Sequence, residues 1–174
     1  MDRVEERELT RTADWAMRSY EHNRQISAQD VCGLHRRWLV GIYAWAGDYR
    51  QVNVSKAGFM FAAAAQLPRL MEEFEEQCLA RYTPLDCRYK NIPLALAETH
   101  TELLLIHPFR EGNGRIARLL AKLMALQAGI EIAGFDSLVL RRREEYFAAV
   151  RAGLARNYDP MCSLFRSIID AGEA

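Results

Sequence analysis

A chain of 174 residues, half of them hydrophobic, is the size of one ordinary domain and long enough to bury a single core. Lys plus Arg and Asp plus Glu balance at 23 each, which excludes the global basic field that draws proteins onto nucleic acid or anionic lipid. Cys32, Cys78, Cys87 and Cys162 form no Cys-x-x-Cys pair, the first seven residues are too charged for a signal peptide, and no apolar run approaches the roughly 20 residues that span a bilayer, so the expectation is a soluble, cytoplasmic protein with reduced thiols and no membrane partner.

Leu9, Ala13, Ala16, Met17 and Tyr20 recur at helical spacing, which predicts an amphipathic helix over residues 3 to 23. Ser27-Ala28-Gln29-Asp30 is an approximate capping box opening a second helix, with Val31, Leu34, Trp38 and Ile42 on one stripe and Gly47 as its stop. From Gln51 to Ala62 the period changes: Val52 and Val54 alternate with polar residues, Gly58 supplies a turn, and Phe59 and Phe61 alternate again, as in a short β-hairpin. Leu67, Leu70, Met71, Phe74 and Cys78 mark a third helix over 66 to 81, with Pro68 tolerable in its first turn.

Residues 92 to 106 are almost wholly apolar, which predicts a helix in the middle of a bundle. Another helix is predicted from Asn113 to Ala128, stopped by Gly129, followed by helices over 143 to 156 and from Asp159-Pro160 onward. The chain reads as one compact all-α domain, 1–174, carrying one short β-hairpin flap: residues 1–26 an accessory helix, residues 27–170 the core.

The chemistry concentrates in His107-Pro108-Phe109-Arg110-Glu111-Gly112-Asn113-Gly114-Arg115-Ile116-Ala117-Arg118, which joins the central helix to the next. Gly112 and Gly114 flank a helix start, where unpaired N–H groups and the positive dipole end make an anion hole, and without β-carbons they allow close approach and unusual φ. Asn113 offers an amide donor, and Arg115 and Arg118, three apart, can fork onto further phosphate oxygens. Glu111 in an anion site is most economically a Mg²⁺ ligand, and His107 is a neutral-pH proton acceptor able to activate a hydroxyl. Pro108 ends the helix, and Phe109 pins the loop to the core and is counted with Gly112, Asn113, Gly114, Arg115 and Arg118 in the nucleotide-binding set.

At these residues the chain resembles the Fic family, whose motif His-Pro-Phe-x-Asp/Glu-Gly-Asn-Gly-Arg-x-x-Arg is matched at every specified position. The resemblance extends through Leu34-His35-Arg36-Arg37, Trp45-Ala46-Gly47-Asp48-Tyr49-Arg50, Val52-Asn53-Val54-Ser55-Lys56 and Phe59 to Tyr146 and Tyr158-Asp159-Pro160, roughly residues 27 to 170. It implies a Fic-type helical bundle whose members transfer AMP, or less often another nucleotidyl group such as UMP or GMP, from a nucleoside triphosphate to a Ser, Thr or Tyr hydroxyl of a target protein. It also implies ATP as co-substrate, Mg²⁺ on Glu111, His107 as general base, Asn113 and the glycine N–H groups on the α- and β-phosphates, and Arg115 and Arg118 on the β- and γ-phosphates. The strand edge around Val52, Asn53, Val54, Ser55 and Lys56 becomes the place where an extended target segment docks.

Many family members are inhibited by a helix bearing Ser/Thr-x-x-x-Glu-Gly/Asn, whose Glu pairs with the second motif arginine, here Arg118. No Ser or Thr of this chain is followed four residues later by Glu, and Thr10 to Trp15 is a poor match, so the expectation is a separate small antitoxin-like partner that supplies the Glu in trans. Rival readings are a Doc-like kinase, answered by the intact Gly114, and a nucleotide-binding module without turnover, answered by retention of His107 and Glu111. Direct nucleic-acid binding rests only on Arg141-Arg142-Arg143, which Glu144-Glu145 offsets, and a metal site on His100 and His107 lacks a third ligand.

Overall fold

The computed structural model describes residues 3–56, 58–132 and 134–172, and the architecture is a helical bundle with one small hairpin. Helix α5 (Ile92–Ile106) is the axis: Ala95, Leu96, Ala97, Thr99, His100, Thr101, Leu103, Leu104 and Ile106 are all buried, and beyond its first two residues only the stripe of Leu94, Glu98, Glu102 and Leu105 is half-buried. It packs most extensively against α6 (Asn113–Gln127) and α9 (Asp159–Gly172), with α3 (Leu67–Phe74) and α8 (Arg143–Ala152) also against it. The apolar residues on most of its circumference therefore fix its place, as a helix hydrophobic on most faces must be largely enclosed.

Helix α2 (Ala28–Leu39) begins as expected: Ser27 accepts from the Asp30 N–H and the Asp30 carboxylate accepts from the Ser27 N–H. It ends at Leu39 rather than running to Gly47, and residues 40 to 47 are turns, with Gly47 at φ +83° inside the loop. Helix α1 (Arg3–Ser19) lies on α2 and α6, but its buried face is Glu5, Thr12 and Ala16, and Met17 from the expected stripe is exposed.

Strands β1 (Ser55–Lys56) and β2 (Phe59–Met60) pair antiparallel, Ser55 with Met60 and Lys56 with Phe59. The ladder is shorter than the alternation suggested; Val52 to Val54 approach it as a loop, although the Phe61 N–H still donates to the Val54 carbonyl at 3.2 Å. Ala57, in the turn, lies outside the described residues.

The helix expected over 66 to 81 is three pieces: α3, a π turn at Glu75–Leu79, and α4 (Ala80–Tyr82). Cys78 and Leu79 in the wider turn are both buried. A short helix, α7 (Phe135–Arg141), was not legible in the sequence because only Phe135 and Leu138 mark its inner face. The end of α6 is a Schellman motif: Gly129 at φ +74° donates to Leu126, and Ile130 donates to Ala125. No helix of the described residues is long and apolar enough to cross a membrane.

Candidate active site

His107 caps α5 in a left-handed conformation, φ 54° and ψ 58°, rare for a residue with a β-carbon. That geometry turns the chain sharply into Pro108 and swings the imidazole out of the helix, where it stacks on Phe61 of the flap, with ring centroids 3.7 Å apart. Its Nδ1 lies 3.2 Å from the Leu104 carbonyl, a partner that can only accept, so the ring proton sits on Nδ1 and the lone pair on Nε2. Burial, with help from the nearby charges of Arg50 and Lys56, lowers its pKa to about 4 against the pull of Leu104 and Glu111. At neutral pH the ring is an uncharged acceptor.

The loop from 108 to 112 is held from inside. Asn113 is buried, and its carboxamide closes a ring on Phe109, accepting from the Phe109 N–H at 2.9 Å and donating to the Phe109 carbonyl at 2.8 Å. The side chain expected to reach a phosphate is thus committed to loop shape. Phe109, expected in the nucleotide-binding set and as the pin of the loop to the core, is likewise fully buried and stacked at 3.9 Å on His35, so its ring anchors the loop.

His35, from α2, receives the Gly47 N–H on Nδ1 at 2.8 Å and donates from Nε2 to the Glu111 carbonyl at 3.1 Å, tying three segments together. Burial lowers its pKa to about 4, consistent with a neutral ring that both donates and accepts.

Gly112 caps α6 at φ +83°, directly over Trp38: a β-carbon there would lie 2.6 Å from the indole. Gly114 has an ordinary helical backbone, so the two motif glycines are there for different reasons. Asn113 and Gly114 open α6, and the first N–H groups of a helix have no acceptor within it, so the dipole end faces the space beside Glu111. The Glu111 carboxylate is exposed; its Oε1 takes the Gly112 N–H at 3.0 Å and Arg115 at 3.3 Å, which leaves Oε2 toward solvent.

The two motif arginines part company. Arg115 lies over the Trp38 ring and pairs with Glu5 of α1 at 2.9 Å, and Glu5 also accepts from the Tyr43 hydroxyl at 2.7 Å. Those hydrogen bonds hold the Glu5 carboxyl below the usual carboxylate range. Arg118 pairs with Asp136 at 2.5 Å and touches Tyr146, whose hydroxyl reaches His100 Nε2 at 2.8 Å while His100 Nδ1 donates to the Ala117 carbonyl. His100 is therefore a buried structural ring, lowered to about pKa 3 by burial. Among the described residues no three His, Cys, Asp or Glu side chains gather as a metal cage.

Sequence reasoning gave no role to Glu5, Asp136, Arg50 or the His100–Tyr146 pair. Glu5 was within reach: carrying the stripe of Leu9, Ala13 and Ala16 back one turn places an acid on the buried face. Asp136 and Tyr146 approach Arg118 only through tertiary packing, and no local spacing announces them. The flap residues Val52, Asn53, Ser55 and Lys56 are exposed and Val54 is half-buried, next to the His107 loop through Phe61.

The fold is similar to that of BepC, a VirB-translocated effector of Bartonella tribocorum solved with bound AMPPNP: TM-score 0.74 at 20% identity, over 94% of this chain and 83% of that one. In sequence the chain is similar to a Fic protein of Salmonella typhimurium, 27% identical over 107 residues, 59% of this chain and 52% of that protein. It is also similar to the protein adenylyltransferase fic-1 of Caenorhabditis briggsae, 30% identical over 139 residues, 76% of this chain and 25% of that protein. The chain spans about half the length of the first relative and a quarter of the second. Residues 25–125, the stretch that holds α2, the flap, α5 and the motif, match the Fic/DOC family model, and the chain belongs to that family.

Proposed function

We propose that this protein is an adenylyltransferase that moves AMP from ATP onto a Ser, Thr or Tyr hydroxyl of a target protein. The observation that carries the reading is the His107 loop: a neutral imidazole with its proton fixed on Nδ1, held beside the N-terminus of α6. A proton acceptor and an anion hole in one loop serve attack of a hydroxyl on a phosphate. The names of the relatives and the AMPPNP in BepC agree with it.

In this reading the target hydroxyl oxygen attacks the α-phosphorus, the bond to the β-phosphate oxygen breaks, pyrophosphate leaves, and the hydroxyl proton passes to His107 Nε2. The N–H groups of Gly112, Asn113 and Gly114 take up charge on the phosphates, and Arg118 clamps the far end, with Arg115 beside it. Glu111 suits Mg²⁺: one exposed carboxylate with a free oxygen would hold such a hard cation, which would neutralise phosphate charge there when bound. Val52 to Lys56 would register the target segment by backbone pairing along the flap.

Residues 27–170 form the transferring core and residues 1–26 its accessory in this reading. Restraint by a separate small protein that brings a glutamate to Arg118 is part of the proposal, supported by the missing Ser/Thr-x-x-x-Glu pattern within these 174 residues.

The test incubates the protein and its His107→Ala variant with cell lysate, Mg²⁺ and ATP labelled at the α or the γ position. Label from the α position, on protein, with the intact chain only, is the expected result. Label from γ would replace the reading with a kinase, and no label with ATP binding retained would replace it with a binding module.

A further inference from the structure

Arg50 is the most deeply buried charge in the described structure, 1% exposed, and the partners of its guanidinium are backbone carbonyls. Nε donates to His107 at 2.8 Å, one terminal nitrogen to Val52 at 2.7 Å, and the other to Ala62 at 2.6 Å and Ile106 at 3.4 Å. Its own N–H donates to Pro108 at 2.9 Å.

These carbonyls fall into two sets. Val52 and Ala62 are the entry and exit of the flap; Ile106, His107 and Pro108 are the end of α5 and the start of the motif loop. A buried charge without a carboxylate is costly unless dipoles compensate it, and the last carbonyls of α5 supply the negative helix end. A fixed planar fork with five donors can serve several segments at once; a single ammonium cannot.

We propose that Arg50 is a positioning residue that fastens the target-docking flap and the His107 loop into one rigid unit, so that a docked hydroxyl and the imidazole keep a set separation. The proposal deepens the adenylyl-transfer reading and rests on it for His107 and for the flap. Two further contacts agree with it: Phe61, at the flap exit, stacks on His107, and the left-handed His107 backbone needs something to hold it. Every hydrogen bond of the fork goes to a carbonyl of the chain itself, so Arg50 acts through its neighbours.

Native-state amide hydrogen exchange reads the coupling in the folded wild-type chain. The amides of Arg50 (bonded to Pro108), Phe61 (to Val54) and Phe109 (to Asn113) should open with protection factors within about threefold of one another, as amides of one cooperative unit do. Protection differing by more than about tenfold between Phe61 and Phe109 would overturn the proposal, because a single unit has one opening.

The variants Arg50→Lys and Arg50→Met then separate fork from charge. Both should raise exchange at Phe61 and Phe109 together by about tenfold or more, with α9 unchanged and ATP affinity within about twofold, since the fork does not reach the phosphate side. His107 faces three charged groups, Arg50, Lys56 and Glu111, so only Arg50→Met should move its NMR titration, upward; His35 and His100 should stay put. Faster exchange at the flap alone would show that Arg50 is merely a flap staple and would overturn the proposal. If the wild type moves no α label while the exchange pattern holds, the transfer reading fails and the mechanical coupling stands.

Discussion

The sharpest test of the loop geometry is to add one methyl group at each motif glycine in turn. Gly112→Ala puts an L-residue at φ +83°, about 1–2 kcal/mol unfavourable, and drives its β-carbon to 2.6 Å from Trp38, a ring that is itself 1% exposed and has nowhere to go. Overpacking of that kind costs about 1–3 kcal/mol, so the total is about 2–5 kcal/mol. At roughly 2–4 °C per kcal/mol for a chain of this size, the melting temperature should fall by about 4–20 °C. Gly114→Ala is the control: the backbone is helical, the nearest atom is the flexible end of Arg118 at 3.4 Å, and replacing Gly within a helix gains about 0.5–1 kcal/mol. That variant should melt at or slightly above wild type yet, on the proposed reading, bind ATP less well, because the methyl crowds Arg118 and the N–H groups at the start of α6. Thermal unfolding followed by circular dichroism, with ATP titration of both variants, decides it. A Gly112→Ala protein within about 1 kcal/mol of wild type, or a Gly114→Ala protein as damaged as Gly112→Ala, would refute the division of roles drawn between them.

Three other perturbations follow from the buried network. His35 and His107 are lowered to about pKa 4 and His100 to about 3, while an unfolded His titrates near 6.5; between those values the unfolded chain binds more protons, so stability rises with pH there and is lost on acidification from 6.5 toward 4. Urea midpoints at pH 7.5 and 5 should show that fall, with proton uptake on unfolding, and equal midpoints would contradict the neutral-ring assignments. Glu5→Gln keeps the acceptor for Tyr43 but removes the charge facing Arg115, and should cost about 1–3 kcal/mol with faster exchange in α1; a change under about 0.5 kcal/mol would mean the pair does not fasten the helix. Tyr146→Phe strips the donor from His100 Nε2 and a contact from Arg118; stability should drop by about 1–3 kcal/mol and ATP affinity several-fold, and an unchanged affinity would detach Tyr146 from the nucleotide site.

What could be read from the sequence was whatever repeats locally or follows a local rule. The capping box at Ser27, the enclosed α5 and the start of α6 at Asn113 each come from a pattern a few residues long, and each stands where expected. The motif residues share one loop and the first turns of α6 because they are contiguous. The losses occur where packing decides. Asn113 reads as a phosphate donor until Phe109 is seen to take both ends of its amide. Arg50 reads as one more loop charge, since the carbonyl partners of its guanidinium lie up to 57 positions away. The π turn at Glu75–Leu79 leaves the apolar spacing of a continuous helix intact and is invisible to it.

The unequal setting of the two motif arginines bears on how a triphosphate would be received. From spacing alone Arg115 and Arg118 are equivalent, three apart on one helix face. In the folded chain their carboxylate partners differ in freedom. Asp136 is 57% exposed and also shared with Lys122, so it can return to water and yield Arg118 to a phosphate at little cost, as exposed pairs are weak. Glu5 is only 8% exposed, is bonded to Tyr43 as well, and sits on a helix whose backbone carbonyl accepts the Trp38 indole N–H. Removing Arg115 from it would strand a buried carboxylate, which is far more costly. Exchange of protein carboxylate for nucleotide phosphate is therefore much easier at Arg118 than at Arg115. The physical consequence is a division of labour along one helix turn: Arg118 is the arginine more easily released to an incoming anion, while Arg115 binds α1 to the core and steadies Glu111 through Oε1.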